Sequence, residues 1–246
     1  MTRMRRLAVG ATVAAAWLLA ACGSPATHAR PEFVSGSPFR AVAILPPAVS
    51  IDRSRLSGSE SLVAEALRIE DVVTRAVAAE LGRRGYLVRP GLSVDALDQR
   101  EDLRDAVADL QARHDDLLGV IARDPAGIRR GRFTLGVSVA GIGDAAGADL
   151  LLFVRASGEL VATSQKVTEA VPGVLLGIGG LRQDTLSLLV TAVDGRDGRV
   201  MAIVSGGATG NVVKDSERVV GQAVAAAFRQ FPARAAAGPA RASPPH

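Results

Sequence analysis

Three histidines, one cysteine and two glycine-rich stretches are the places where this 246-residue chain could carry chemistry. His114 stands beside Asp115 and Asp116. That trio invites metal binding or acid–base work, but adjacent residues of a helix do not share a face, and one histidine with two neighbouring acids is not metal-ligand spacing. It reads as a solvated helix end. A Ser-His-Asp site would have to recruit His114 as well, because His28 and His246 fall in terminal segments and no GxSxG elbow is present. Val137 to Gly147 reads as a strand feeding a glycine loop, with Gly141, Gly143 and Gly147 spaced GxGxxxG. A dinucleotide site needs GxGxxG and a helix after the glycines, whereas a strand begins here at Asp149. Gly173 to Gly180 (GVLLGIGG) lacks the GK[ST] ending of a phosphate loop, and neither Lys166 nor Lys214 follows a glycine. It reads as a loop between strands; contact with a membrane or a partner is its functional alternative. No catalytic residue, cofactor or metal site is expected, and the chain reads as no enzyme.

The cysteine is different. Met1 to Arg6 carries three arginines, and Leu7 to Ala21 is an unbroken apolar run. A basic start, a short apolar core and small residues before a cleavage point describe a secretory signal peptide. As a helix of ~1.5 Å per residue the run reaches about 22 Å, short of a ~30 Å bilayer core. It ends Leu19-Ala20-Ala21-Cys22-Gly23, which resembles a bacterial lipobox. That resemblance implies cleavage between Ala21 and Cys22 and acyl chains of the palmitate kind on Cys22. Several acyl chains give stable anchoring where one is marginal. Gly23 in place of Asp implies transport to the outer membrane, with the domain in the periplasm. Cys22 is the only cysteine, so no intrachain disulfide can form.

The charge balance fits that address. Lys and Arg total 29 against 25 Asp and Glu, a net charge of +4. Arg3, Arg5 and Arg6 leave with residues 1–21, so the mature chain is nearly neutral. Bulk nucleic-acid binding, which needs clustered positive charge, is not expected.

The mature chain divides by composition. Residues 22–37 read as a flexible tether, 38–231 as a single domain and 232–246 as a disordered tail. Arg40 to Leu45 predicts a buried strand stopped by Pro46-Pro47, and Ile51 to Glu60 a polar loop. Leu62, Ala66, Ile69, Val73, Val77 and Leu81 recur at helical spacing, starting from Ser57 or Ser61 and ending before Gly85 as the C′ residue. Tyr86 to Arg89 is a second strand. Ser93 is the expected cap of a second helix that runs through Leu97, Leu103, Val107 and Leu110. Ala148 to Val161 and Leu186 to Val193 are strands. Asp194 to Gly198 is a hairpin turn, and Arg199 to Ser205 the returning strand. Gly206 to Asn211 reads as loop, and Val220 to Phe231 as a last helix. The order β-α-β-α-β-β-β-α predicts an α/β (α+β) fold, a mixed sheet with packed helices.

Five features in order carry a resemblance: the lipobox; Ala43-Ile44-Leu45-Pro46-Pro47; a long helix into Gly85-Tyr86-Leu87-Val88; Gly147-Ala148-Asp149-Leu150-Leu151; and Val193-Asp194-Gly195-Arg196-Asp197-Gly198-Arg199-Val200. Together they resemble the CsgG/LpoB-like superfamily of envelope lipoproteins, including its GNA-type (DUF799-like) branch. The resemblance implies an anticodon-binding-domain-like fold used in the periplasm for protein contacts, with no catalytic residues. It implies an adaptor or accessory factor for another envelope protein. The alternative is a subunit of an oligomeric secretion channel of the curli type, for which Arg132 to Ala140 and Val161 to Leu176 are the spare strand segments.

Overall fold

A computed structural model describes residues 27–55, 58–90, 92, 97–161 and 183–234. They build one eight-stranded mixed sheet with helices on both faces. The strands are β1 (Thr27–Ala29), β2 (Ala41–Ile44), β3 (Ala48–Arg55), β4 (Gly58–Ser61), β5 (Leu87–Arg89), β6 (Leu150–Val161), β7 (Thr185–Asp194) and β8 (Val200–Thr209). The helices are α1 (Pro31–Val34), α2 (Val63–Arg83), α3 (Glu101–Ile121), α4 (Val139–Ala146) and α5 (Ser216–Phe228). The sheet runs β1-β8-β7-β6-β2-β5, and β3 lies beside β6 with β4 outside it. β2 pairs in parallel with β5 and β6, while β6, β7 and β8 are antiparallel neighbours.

Alternation along the strands sends side chains to two cores. Val42, Leu150, Leu152 and Val190 face α2 and α5. Ala43, Leu151, Phe153 and Val193 face α3 and α4. The stripe Ala66, Ile69, Val73, Val77 and Leu81 is the buried face of α2, as its spacing predicts. α2 ends in a Schellman motif: Tyr86 N–H donates to the Leu81 carbonyl and Gly85 N–H to that of Gly82. Gly85 takes φ +84°, the left-handed value that position needs. The hairpin turn forms at Asp194–Gly198, with Gly198 N–H bonded to the Asp194 carbonyl.

Several elements depart from the sequence reading. The tether expected over 22–37 already contains β1, paired with β8, and α1, whose Phe33 is fully buried. Apolar burial of that one ring draws the segment onto the core. At the other end, Arg234 N–H bonds the Arg84 carbonyl and Tyr86 Oη donates to the carbonyl of Pro232. Ile51–Glu60 is not a loop: β3 and β4 form a hairpin, with Ile51 buried and β4 wholly exposed. An edge hairpin shows little apolar alternation because most of it faces water. α2 is capped at Leu62 without a side-chain bond, so Ser57 and Ser61 do not start it. α3 is one continuous helix through Ile121; Ser93 lies outside the described residues.

Val137–Gly147 is neither strand nor glycine loop. Its apolar residues Val139, Ile142 and Ala146 line one face of α4, with Gly143 against the carbonyl of Gly195 and Gly147 closing the helix at φ +59°. One of the two spare strand segments is thereby used up, since Arg132–Ala140 enters α4 after a single bridge at Thr134. The other continues past Val161, outside the described residues. β8 also runs on to Thr209, because Gly206 lets the backbone of α5 come close. α5 stops at Phe228, three residues before Phe231.

Candidate functional site

Cys22, Ala21 and Gly173–Gly180 lie outside the described residues. His114 does not stand at a solvated helix end. It sits within α3, only 2% exposed, and its ring stacks on Phe153 of β6 at 4.2 Å between centroids and 17° between planes. The cause is position: Leu103, Val107, Leu110 and His114 follow one another at intervals of three and four, so His114 continues the buried stripe.

The site around it is made by an interruption in the sheet. β2 and β3 follow one another along the same edge of β6, β2 against Leu150–Leu152 and β3 from Arg155 onward. Pro46 and Pro47 bridge the break and bring no N–H to the ladder. Gln111 of α3 donates to the Pro46 carbonyl at 2.9 Å, fastening the helix over the gap. The result is a cavity of about 100 Å³ lined by Pro46, Gln111, His114, Asp115, Phe153 and Arg155.

Its electrostatics follow from burial. Loss of water holds the His114 imidazole below its ordinary value of 6.5, and the Arg155 cation adds to this; Asp115 opposes both. His114 is therefore neutral near pH 7. Nδ1 lies 3.7 Å from Asp115 Oδ1, longer than a hydrogen bond, and Nε2 is buried with no partner. Asp115 is held below its ordinary value by the His114 imidazole first and then by Arg155, which meets it at 2.8 Å, against a contrary pull from burial. Thr191, opposite Phe153 on β7, likewise has a buried hydroxyl without a partner.

The cavity supports little chemistry. No Ser, Thr, Cys or Lys lines it. A neutral imidazole could bond a water there, but it has no nucleophile to activate. At about 100 Å³ the space is well below the ~300–1,000 Å³ of small-molecule sites. No group of three or more His, Cys, Asp or Glu among the described residues could hold a metal ion. No described helix is long and apolar enough to cross a membrane. Arg155 and Gln111 escaped the sequence reading; the one signal was a lone arginine inside the apolar run of β6.

Arg155 also marks a boundary. Up to Phe153, the face of the sheet that carries His114 is covered by α3 and α4. Beyond it no described element lies over β3, β6, β7 and β8. The row Ala48–Arg155–Leu189–Ser205 still meets α3 through the Arg155–Asp115 pair and Leu189, and two rows beyond it have no described element over them: Ser50–Ser157–Ser187–Gly207 and Asp52–Glu159–Thr185–Thr209. Ser50, Ser157, Gly207 and Thr209 are exposed although β6 and β7 are interior strands. The opposite side of the same strands is buried through Ile51, Ala156, Leu160, Leu186 and Leu188. Among the described residues this half-face is rich in hydroxyls and free of aromatic rings.

No family model and no curated protein matches the chain. Solved structures do. PelC of Paraburkholderia phytofirmans, a dodecamer, is 12% identical over 86% of this chain and 100% of its own, with a TM-score of 0.36. A variant of the same PelC in a second crystal form gives the same identity and TM-score over 99% of its own length. Lipoprotein GNA1162 of Neisseria meningitidis is 15% identical over 77% of this chain and 94% of its own, with a TM-score of 0.37. The dodecamer is a property of PelC, and the lipoprotein character one of GNA1162.

Proposed function

We propose that this chain is a lipid-anchored protein of the bacterial envelope that acts without catalysis, as an adaptor or accessory factor for another envelope protein. Acyl chains on Cys22 hold it to the outer membrane, and its domain works in the periplasm. The observation that carries the adaptor reading is the open half-face of β3, β6, β7 and β8. A sheet face of short polar side chains without a pocket fits the surface of a protein better than a small molecule. The lack of aromatic rings on it disfavours stacking on sugars or bases. The cavity at His114 supports the same reading by its size and its lack of a nucleophile.

A photo-crosslinking residue placed at Ser157 tests this in cells. The expected result is one discrete adduct with a different envelope protein, absent when the probe stands at Val137, which is 80% exposed just before α4. Equal adducts from both positions, or none from Ser157, would contradict it.

A further inference from the structure

Four arginines gather beside β1. β1 starts at Thr27, and Arg30 follows it directly. The Arg30 guanidinium lies over Gly131, with Nη2 2.9 Å from where a Cβ there would stand. Arg129 is close enough to His28 for its charge, after burial, to help hold that imidazole below 6.5. Arg130 and Arg132 complete the group, both exposed and both reaching Asp124, at 2.7 and 3.3 Å. The acids present are Asp124 and Glu32, which pairs with Arg30. Arg129 is exposed and has no carboxylate partner among the described residues. Four cations against two anions leave a local excess of +2 on a mature chain that is nearly neutral overall.

The distance to Cys22 gives this excess a meaning. Four residues, Gly23 to Ala26, separate the cysteine from β1, which makes five residue steps from Cys22 to Thr27. Fully extended at about 3.5 Å each they span roughly 17 Å. We infer that the exposed Arg129, Arg130 and Arg132, backed by the largely buried Arg30, dock on anionic phospholipid headgroups and fix the domain's orientation on the bilayer. The inference rests on the acylation of Cys22 proposed above. Guanidinium groups pair well with phosphate oxygens, and the attraction fades beyond a Debye length of roughly 8–10 Å, so a short tether is needed to keep it effective. A bilayer is favoured over a protein partner because the tether holds the cluster near lipid at all times.

The test uses the full lipidated protein in vesicles, read by hydrogen–deuterium exchange of peptides covering residues 123–132. Two vesicle types serve: neutral phosphatidylcholine, and the same lipid with about 30 mol% phosphatidylglycerol. The expected result is exchange slowed several-fold on the anionic vesicles alone, with the protection lost in about 0.5 M salt and in R129Q/R130Q/R132Q. Equal exchange on both vesicles would overturn the docking surface, and so would protection that survives in the triple variant. Flotation with the neutral vesicles reads the anchor separately: a chain that fails to float there refutes acylation, and with it the tethered geometry that the docking requires.

Discussion

The imidazole of His114 lies flat on the ring of Phe153, 4.2 Å away, and its Nε2 has no hydrogen-bond partner. A helix and an interior strand thus meet through a neutral histidine at the edge of the covered sheet. Protonation would place a charge in a buried site beside Arg155, with only Asp115 to compensate.

That arrangement sets a pH dependence. Because the folded pKa of His114 lies below 6.5, the folded state binds fewer protons than the unfolded one as the pH falls. The stability is complete above about 6.5 and declines from there down to the depressed value, by at most about 1.4 kcal/mol per pH unit. Urea unfolding at a series of pH values should show this slope, and H114F, which keeps the stacked ring, should flatten it. His28 is shifted the same way, so H28N should reduce the slope further just below pH 6.5. A wild-type protein equally stable at pH 5 and pH 7.5 would refute the buried neutral histidine.

Thr191 offers the opposite kind of test. Its hydroxyl is fully buried and unpartnered between Phe153 and Ile203. Replacing it by valine removes a polar group that gains nothing, so T191V should raise stability by roughly 0.5–1 kcal/mol. A loss of that size in urea unfolding would mean that the hydroxyl has a partner after all.

Two glycines separate close approach from plain flexibility. A Cβ on Gly206 of β8 would run into the backbone of Ala227 in α5, whereas one on Gly141 of α4 meets nothing within 4 Å. G206V should therefore cost about 2–3 kcal/mol by lifting α5 off the sheet. G141A should gain about 0.5–1 kcal/mol from helix propensity alone. Thermal unfolding of both variants compares them directly, and a tolerated G206V would contradict the packing of α5 on β8.

What could be read from the residues follows burial. Leu150 to Phe153 are apolar throughout and Ala66 to Leu81 are apolar on their buried face except for Glu80, and both elements were legible. β4 was not, since all four of its residues face water and carry no pattern. α4 was hidden by its two glycines, which imitate a loop; Gly143 packs closely against Gly195, while Gly141 faces open space. His114 was misjudged because Asp115 and Asp116 suggested solvent, although its spacing from Leu110 already placed it on the buried stripe. The break at Pro46-Pro47 was legible as a strand end. That the chain resumes beside the same strand, making the cavity and leaving the half-face open, depends on pairing between residues 100 apart in sequence.

The central claim is a lipid-anchored chain that serves a different protein. Native mass spectrometry of the protein extracted from its own membrane in mild detergent addresses both halves together. The account predicts a chain that begins at Cys22, carries the mass of its acyl groups, and is either alone or joined to one distinct envelope protein. A closed ring of identical copies would contradict the adaptor, and a chain that still begins at Met1 with an unmodified Cys22 would contradict the anchor.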